Sequence, residues 1–198
     1  PVQGDLFFNR EQLVSKIERF LYHSNDTTII LYGQRRIGKT SLLRKIQEKI
    51  LHKKGKVTLF DFQNKADFEL PQLLTNFMKQ IIVDLRLSGD INKEIEKQTN
   101  IEDYFINNFL PSITNQLHKD ENIVFLFDEF EAIISNRNLD QTFFTELRGL
   151  GEKGSVIYLT VSGESLFELS FHDQNVLSSP FFNNLAQTWL GVLKPEEA

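Results

Sequence analysis

The chain has 198 residues and a mass of 23.1 kDa, with 40% hydrophobic and 25% charged side chains, the composition of a globular domain rather than a disordered or fibrous chain. It carries no cysteine, which excludes disulfide scaffolds, thiolate zinc sites and cysteine nucleophiles, and no apolar run approaches the ~20 residues of a membrane span. The net charge of −5 argues against nucleic acid as the main partner, yet residues 33–56 hold nine Lys or Arg and one acid, Glu48.

In chain order, residues 27–32, 57–62, 122–127, 155–161 and 188–193 form short apolar runs rich in β-branched and aromatic side chains. They are nearly continuous in apolarity rather than alternating, which predicts strands buried on both faces of a parallel sheet. Helices are expected between them. Residues 41–51 place Leu42, Leu43, Ile46 and Ile50 on one stripe. Residues 71–87 open with Pro71 in a first turn and carry Leu73, Leu74, Phe77, Ile81 and Ile82. Residues 102–118 and 139–150 are further helices, the second expected to stop at Gly149 and Gly151. This alternation predicts an α/β three-layer domain whose ligand crevice lies at the loops after the strands. Eighteen phenylalanines predict a large, well-filled core. The chain opens at Pro1 without Met, so it is expected to be a piece of something longer, and a cytosolic (cytoplasmic) setting is expected.

Directly after the first strand comes Gly33-Gln34-Arg35-Arg36-Ile37-Gly38-Lys39-Thr40, and then a helix. This fits the P-loop pattern of Gly, four residues, Gly, Lys and Ser/Thr. Gly33 and Gly38 are expected at φ > 0, so that successive N–H groups point into one concavity. The helix N-terminus adds the positive end of its dipole. Lys39 is expected to reach the β- and γ-phosphates of a nucleotide, and the Thr40 hydroxyl to ligate Mg²⁺. The candidate nucleotide-binding set is therefore Gly33, Gln34, Arg35, Arg36, Ile37, Gly38, Lys39, Thr40 and Ser41.

A second motif, Ile123-Val124-Phe125-Leu126-Phe127-Asp128-Glu129, is an apolar strand ending in two acids. Asp128 is expected to hold Mg²⁺, directly or through water, in the Walker B role. Glu129 is expected to polarise the water that attacks the γ-phosphate. Three other features read as incidental. Asn64-Lys65-Ala66-Asp67 matches the guanine-recognition signature of small GTPases but precedes the acidic strand instead of following it. His172-Asp173 has no partner His at metal-ligand spacing, and Gly163-Glu164-Ser165 lacks the glycine spacing of a nucleophile elbow.

With both motifs placed, the sequence resembles the STAND class of P-loop ATPases (signal-transduction ATPases with numerous domains), closest to its bacterial and archaeal members, neighbours of the Orc/Cdc6-type AAA+ proteins. The likeness is carried by Phe7-Phe8-Asn9-Arg10-Glu11, by residues 32–43 and 125–131, and by Ser179-Pro180-Phe181-Phe182-Asn183 through Leu193 to Pro195-Glu196-Glu197-Ala198. It implies a three-layer αβα core over residues 1–194, with a mainly parallel five-stranded sheet in the order 5-1-4-3-2. Residues 195–198 would open a truncated helical lid. Arg10 and Glu11 are implied to lie by the adenine and ribose, with Asn9 standing where the family has Gly. A polar residue near the end of the fourth strand senses the γ-phosphate in the family. Here that is Thr160 or Ser162, and Ser162 is preferred, joining Lys39 and Glu129 in the catalytic set. Gln63 or Asn64, ending the second strand, is expected to hold the catalytic Glu inactive. Arg35, Arg36 and Arg148 are the arginines considered for the γ-phosphate, with surface solvation preferred for each.

The resemblance implies a Mg²⁺-dependent, slowly hydrolysing ATPase that serves as the nucleotide switch of a larger signalling or defence-type protein. ATP/ADP and Mg²⁺ are its cofactors. Self-association or protein partners would act through domains outside the chain, and no membrane partner is expected. The alternative is an Orc-like DNA-binding ATPase with residues 44–56 on a nucleic-acid backbone, which the negative net charge does not favour. The preference for adenine over guanine rests on the resemblance.

Overall fold

Five strands make one all-parallel sheet in the order β2-β3-β4-β1-β5: β1 (Thr28–Tyr32), β2 (Lys56–Asp61), β3 (Ile123–Asp128), β4 (Val156–Ser162) and β5 (Ala186–Trp189). Read from its other edge, this is the expected order 5-1-4-3-2, and every pairing is parallel rather than most of them. The computed structural model describes residues 10–23, 28–53, 55–118, 121–139, 141–152, 156–169 and 186–191. Phe7-Phe8-Asn9, His172-Asp173, Ser179-Pro180-Phe181-Phe182-Asn183 and the expected lid at residues 195–198 lie outside them.

Every described residue of β3 and β4 is buried. Such strands have no solvent face to mark with polar residues, which explains their nearly continuous apolar sequence, broken only by Asp128, Thr160 and Ser162 towards their C-terminal ends. Alternate side chains feed two cores. Val124, Leu126, Ile157, Leu159, Ile29 and Leu31 meet α1 (Glu11–His23) and α2 (Lys39–His52), which contribute Val14, Ile17, Leu21, Leu42, Leu43, Ile46 and Ile50. Phe125, Phe127, Phe60 and Tyr158 face the opposite way, into a phenylalanine-rich core. That core is closed by α3 (Leu70–Asp84), α4 (Ile91–Glu96), α5 (Ile101–Tyr104), α6 (Leu110–Thr114), α7 (Glu131–Ile134) and α8 (Gln141–Glu152). Phe77 of α3 packs edge-on to Phe125 and Phe127, at centroid distances of 4.9 and 5.5 Å. A short α9 (Leu166–Leu169) follows β4.

Several elements depart from the sequence expectation. Residues 102–118 do not form one regular helix: α5 passes through a π-helical stretch, Phe105–Phe109, into α6. Pro111 lacks the N–H for the regular ladder and its ring crowds the carbonyl one turn back, and a widened turn accommodates both. α8 runs through Gly149 and Gly151 to Glu152, because Phe143, Phe144, Leu147 and Leu150 are buried along it and outweigh the glycine penalty. β5 begins at Ala186 rather than 188, its register set by Ile29↔Ala186 and Tyr32↔Trp189. α1 is a helix the strand-and-helix reading omits. Among the described residues, no helix is long and apolar enough to cross a membrane.

Candidate functional site

The site grows from the C-terminal end of β1. The Gly33 N–H donates to the Ser162 carbonyl at 3.2 Å, and the Leu190 N–H donates to the Tyr32 carbonyl at 2.7 Å, so the loop leaves the sheet from between β4 and β5. Gly33 is glycine for want of space: a Cβ there would lie 2.6 Å from the Leu190 carbonyl oxygen. This corrects the expectation of φ > 0 at Gly33. The loop's left-handed residues are Arg36, at φ 66°, and Gly38, at φ 95°, and Gly38 caps α2. α2 then starts at Lys39, as expected.

Lys39 is 7% exposed. Its Nζ donates to the carbonyls of Gly33 at 2.9 Å and Gln34 at 3.1 Å, partners that a buried ammonium needs. Facing it, Asp128 ends β3 in a buried position, and the Thr40 hydroxyl hydrogen-bonds its carboxylate. The Glu129 N–H also donates to Asp128 Oδ1, at 3.0 Å. Burial pushes the Asp128 carboxyl up from its ordinary value and nearby Asp61 adds to this, against the pull of the Thr40 and Glu129 hydrogen bonds and the Lys39 charge. Burial, Glu131 and Asp128 likewise raise Glu129. Glu129 itself holds a left-handed backbone, φ 52°, uncommon for a residue with a Cβ.

These groups line a cavity of about 700 Å³ together with Arg35, Arg36, Gly38, Ser41, Arg44, Asp61 and Gln63. Two strand-end carboxylates, three arginines and a lysine at a helix N-terminus make a pocket fit for a polyphosphate with a divalent cation. Among the described residues no cluster of three or more His, Cys, Asp or Glu could hold a metal by itself. The oxygen pair of Thr40 and Asp128 fits Mg²⁺, which takes one or two protein oxygens and completes its shell with phosphate and water.

The other expected residues are placed as follows. Arg10 does not line the cavity; its Nη2 donates to the Ile37 carbonyl at 2.9 Å and the Gly191 carbonyl at 3.0 Å, tying the P-loop to the segment after β5. Glu11 is the exposed first residue of α1. Gln34 contributes its backbone carbonyl and Ile37 its own, to Lys39 and Arg10. Ser162 is buried and does not line the cavity, its Oγ accepting from the Glu164 N–H at 3.2 Å, while the Thr160 hydroxyl donates to the Ile29 carbonyl. Of the pair Gln63 and Asn64, Gln63 reaches the cavity and Asn64 sits in a left-handed turn. Arg148 pairs with Glu152 at 2.6 Å on α8. The Asn64–Asp67 stretch is a structural turn: Asn136 Nδ2 holds the carbonyls of Lys65 and Phe68, and Asn138 Nδ2 that of Asp67.

Arg44 and Asp61 line the cavity without having been singled out from the sequence. Asp61 ends β2 in register with Asp128, a relation that only the pairing of the two strands reveals. Arg44 stands one turn into α2, inside the basic stretch.

An all-parallel sheet that ends at a glycine-bounded loop, with a buried lysine opposed to a strand-end acid, is the architecture of the α/β P-loop nucleoside triphosphatases. Residues 7–171 match a family of ATPase domains found predominantly in Archaea, and the chain belongs to that family. No curated protein sequence matches it. Among solved structures it is similar to a Walker-type ATPase of Pyrococcus abyssi, with 17% identity and a TM-score of 0.64, covering 93% of this chain and 53% of that one. It is also similar to the Aeropyrum pernix ORC2 protein in its ADP form, with 14% identity, a TM-score of 0.56 and coverage of 94% and 51%. The Drosophila ORC bound to DNA gives 12% identity, a TM-score of 0.60 and coverage of 94% and 44%. At these identities the likeness is one of fold, and the chain spans about half the length of the structures it matches.

Proposed function

We propose that this chain binds Mg²⁺–ATP in the P-loop cavity and hydrolyses it slowly, acting as the nucleotide switch of a larger signal-transduction or defence-type protein of the STAND kind. The observation that carries the reading is Lys39, buried and held by two loop carbonyls opposite the Thr40–Asp128 pair. A lysine so placed exchanges its carbonyl partners for phosphate oxygens without travelling through solvent, while the loop N–H groups and the α2 dipole take up the remaining phosphate charge. Thr40 and Asp128 would hold Mg²⁺, which bridges phosphate oxygens and neutralises their charge. Glu129, next to Asp128 and on the cavity wall, orients the attacking water, and a raised carboxyl is suited to accept its proton. Nucleotide state then biases how the core meets the rest of the protein.

The test is calorimetric titration of ATP, ADP and GTP with Mg²⁺ into the chain and its Lys39→Ala variant. Micromolar or tighter binding of the adenine nucleotides is expected, weakened at least roughly tenfold in the variant. A variant that binds ATP as tightly as the parent removes the reading.

A second reading, an Orc-like DNA-binding ATPase, is supported by the fold shared with the Drosophila ORC structure and by the basic residues 33–56. It ranks second because Lys45 pairs with Glu48, and Lys49 and Lys53 both pair with Glu18.

A further inference from the structure

Arg44 stands on the wall of the P-loop cavity, one turn into α2, and the protein leaves its charge unmatched. Its Nε is buried and no acceptor reaches it. A buried N–H of a charged group is costly without an acceptor, so this one calls for a partner. The acids beside it are engaged elsewhere. Arg44 and Asp61 also line a second cavity, of about 430 Å³, which lies beside the edge strand β2 and holds Glu48 and Asp84. Asp61 Oδ1 accepts from the Gln63 N–H at 2.7 Å. Asp84 accepts from the Leu59 N–H at 3.0 Å and from Gln80 Nε2 at 2.9 Å, and Glu48 pairs with Lys45 at 3.7 Å. Among the described residues no carboxylate forms an ion pair with Arg44.

Charge decides which of the two cavities offers Arg44 an anion. In the second, an anion would face Glu48, Asp61 and Asp84. The other cation there, Lys65, is committed: its Nζ donates to the Asp61 carbonyl at 2.5 Å and lies 5.1 Å from the centre of the Phe60 ring. In the P-loop cavity Arg44 joins Arg35, Arg36 and Lys39 at the positive end of α2, which favours an anion there. The helix also sets which part of a nucleotide Arg44 would meet. Thr40 and Arg44 are four residues apart on one face of α2, and a helical side chain leans back over the turn before it. Thr40 is the proposed Mg²⁺ residue, and that cation bridges β- and γ-phosphate oxygens. Arg44 therefore faces the end at which a triphosphate differs from a diphosphate. We infer that Arg44 is a specificity-determining residue, whose guanidinium takes the terminal phosphate of a nucleoside triphosphate and so tells it from a diphosphate. A nucleotide switch needs such a group, and Ser162, expected in that role, does not line the cavity. The planar fork of an arginine offers a phosphate two parallel N–H donors, whereas lysine offers a point charge.

The inference rests on the reading of the P-loop cavity as a nucleotide site, so the experiment separates the two. ADP and the non-hydrolysable adenosine β,γ-imidotriphosphate, each with Mg²⁺, are titrated calorimetrically into the parent, Lys39→Ala, Arg44→Ala, Arg44→Gln, Arg44→Lys and Arg148→Ala. Urea unfolding checks that each variant is folded, and Arg44→Lys, which keeps the charge, carries the test if the neutral variants are not. Lys39→Ala is expected to weaken both nucleotides. Arg44→Ala and Arg44→Gln are expected to weaken the imidotriphosphate about ten- to a hundredfold and to leave ADP within about twofold of the parent. Arg44→Lys is expected to fall between, again for the triphosphate alone. Arg148→Ala, which removes a cation paired with Glu152 on α8, should change neither. Equal weakening of both nucleotides by the Arg44 variants would mean charge acting at a distance or lost packing, and overturns the assignment. So does an unchanged affinity for the triphosphate. In either case a loss in Lys39→Ala leaves the nucleotide site standing. A parent chain that binds neither nucleotide removes the site and the assignment together.

Discussion

Lys39 and the two glycines around it show three separate physical demands met within seven residues. The ammonium is buried, so its charge must be met by oxygens, and the carbonyls of Gly33 and Gln34 supply them. Gly38 meets a conformational demand, because nothing lies within 4 Å of where its Cβ would be, yet φ is 95°. Gly33 meets a spatial one, because the Leu190 carbonyl 2.6 Å from its absent Cβ belongs to backbone already bonded to Tyr32 and cannot swing aside. The two positions are therefore expected to respond differently to substitution. Gly33→Ala should destabilise the chain by about 1–3 kcal/mol through overpacking, and Gly33→Asn by more. Gly38→Ala should cost about 1–2 kcal/mol through backbone strain, and Gly38→Asn less, since Asn tolerates the left-handed region. Urea unfolding of the four variants checks this, and the same ranking at both glycines would show that one mechanism had been assigned wrongly.

Elements that the sequence announces are those whose physics is local. β3 and β4 were legible because a strand buried on both faces is apolar along most of its length. The P-loop was legible because its chemistry needs fixed residue types at fixed spacing. What was illegible depends on neighbours distant in the chain. Asp61 enters the cavity because β2 and β3 pair Asp61↔Asp128. Glu131 accepts from the Gly163 N–H only because α7 comes back to the end of β4. The end of β5 was misplaced because a four-residue edge strand takes its register from β1, not from its own apolarity. α8 is the clearest case of packing overriding propensity. Gly149 and Gly151 read as a stop, yet the helix continues while its buried stripe lasts. A Cβ at Gly149 would meet nothing within 4 Å, and no positive φ protects the glycine. Gly149→Ala is therefore expected to stabilise the chain by roughly 0.5–1 kcal/mol, through the smaller entropy of the unfolded chain and better helix propensity. A higher urea midpoint with an unchanged m-value would show it. A lower midpoint would mean that Gly149 is there for a contact outside the described residues.

At the scale of the whole molecule, the charge distribution bears on both proposed readings of function. The chain is acidic overall, at −5, and its basic residues are concentrated in the P-loop and α2. The fold spends much of that positive charge internally. Arg35, Arg36, Lys39 and Arg44 line the cavity at the P-loop, where the proposed nucleotide would meet them. Glu18 of α1 sits between Lys49, at 3.3 Å, and Lys53, at 3.1 Å. Burial pushes the Glu18 carboxyl up, but hydrogen bonds and charge from the two lysines outweigh it and leave the group below its ordinary value. Lys45 is engaged with Glu48. Pairs of this kind, partly exposed to water, contribute about 1 kcal/mol each, so DNA could break them, but each one broken leaves an acid facing the phosphates. Non-specific duplex affinity grows with the number of cations that displace counterions, and Lys45, Lys49 and Lys53 each already meet an acid. The chain at ~10 μM is therefore expected not to be retained on duplex DNA at ~50 mM salt, with or without ATP. Glu18→Ala, which removes the acid that Lys49 and Lys53 share, should raise retention in a salt-sensitive way. Retention of the parent chain that falls steeply as salt rises would reverse the ranking and make the origin-recognition type of ATPase the better description.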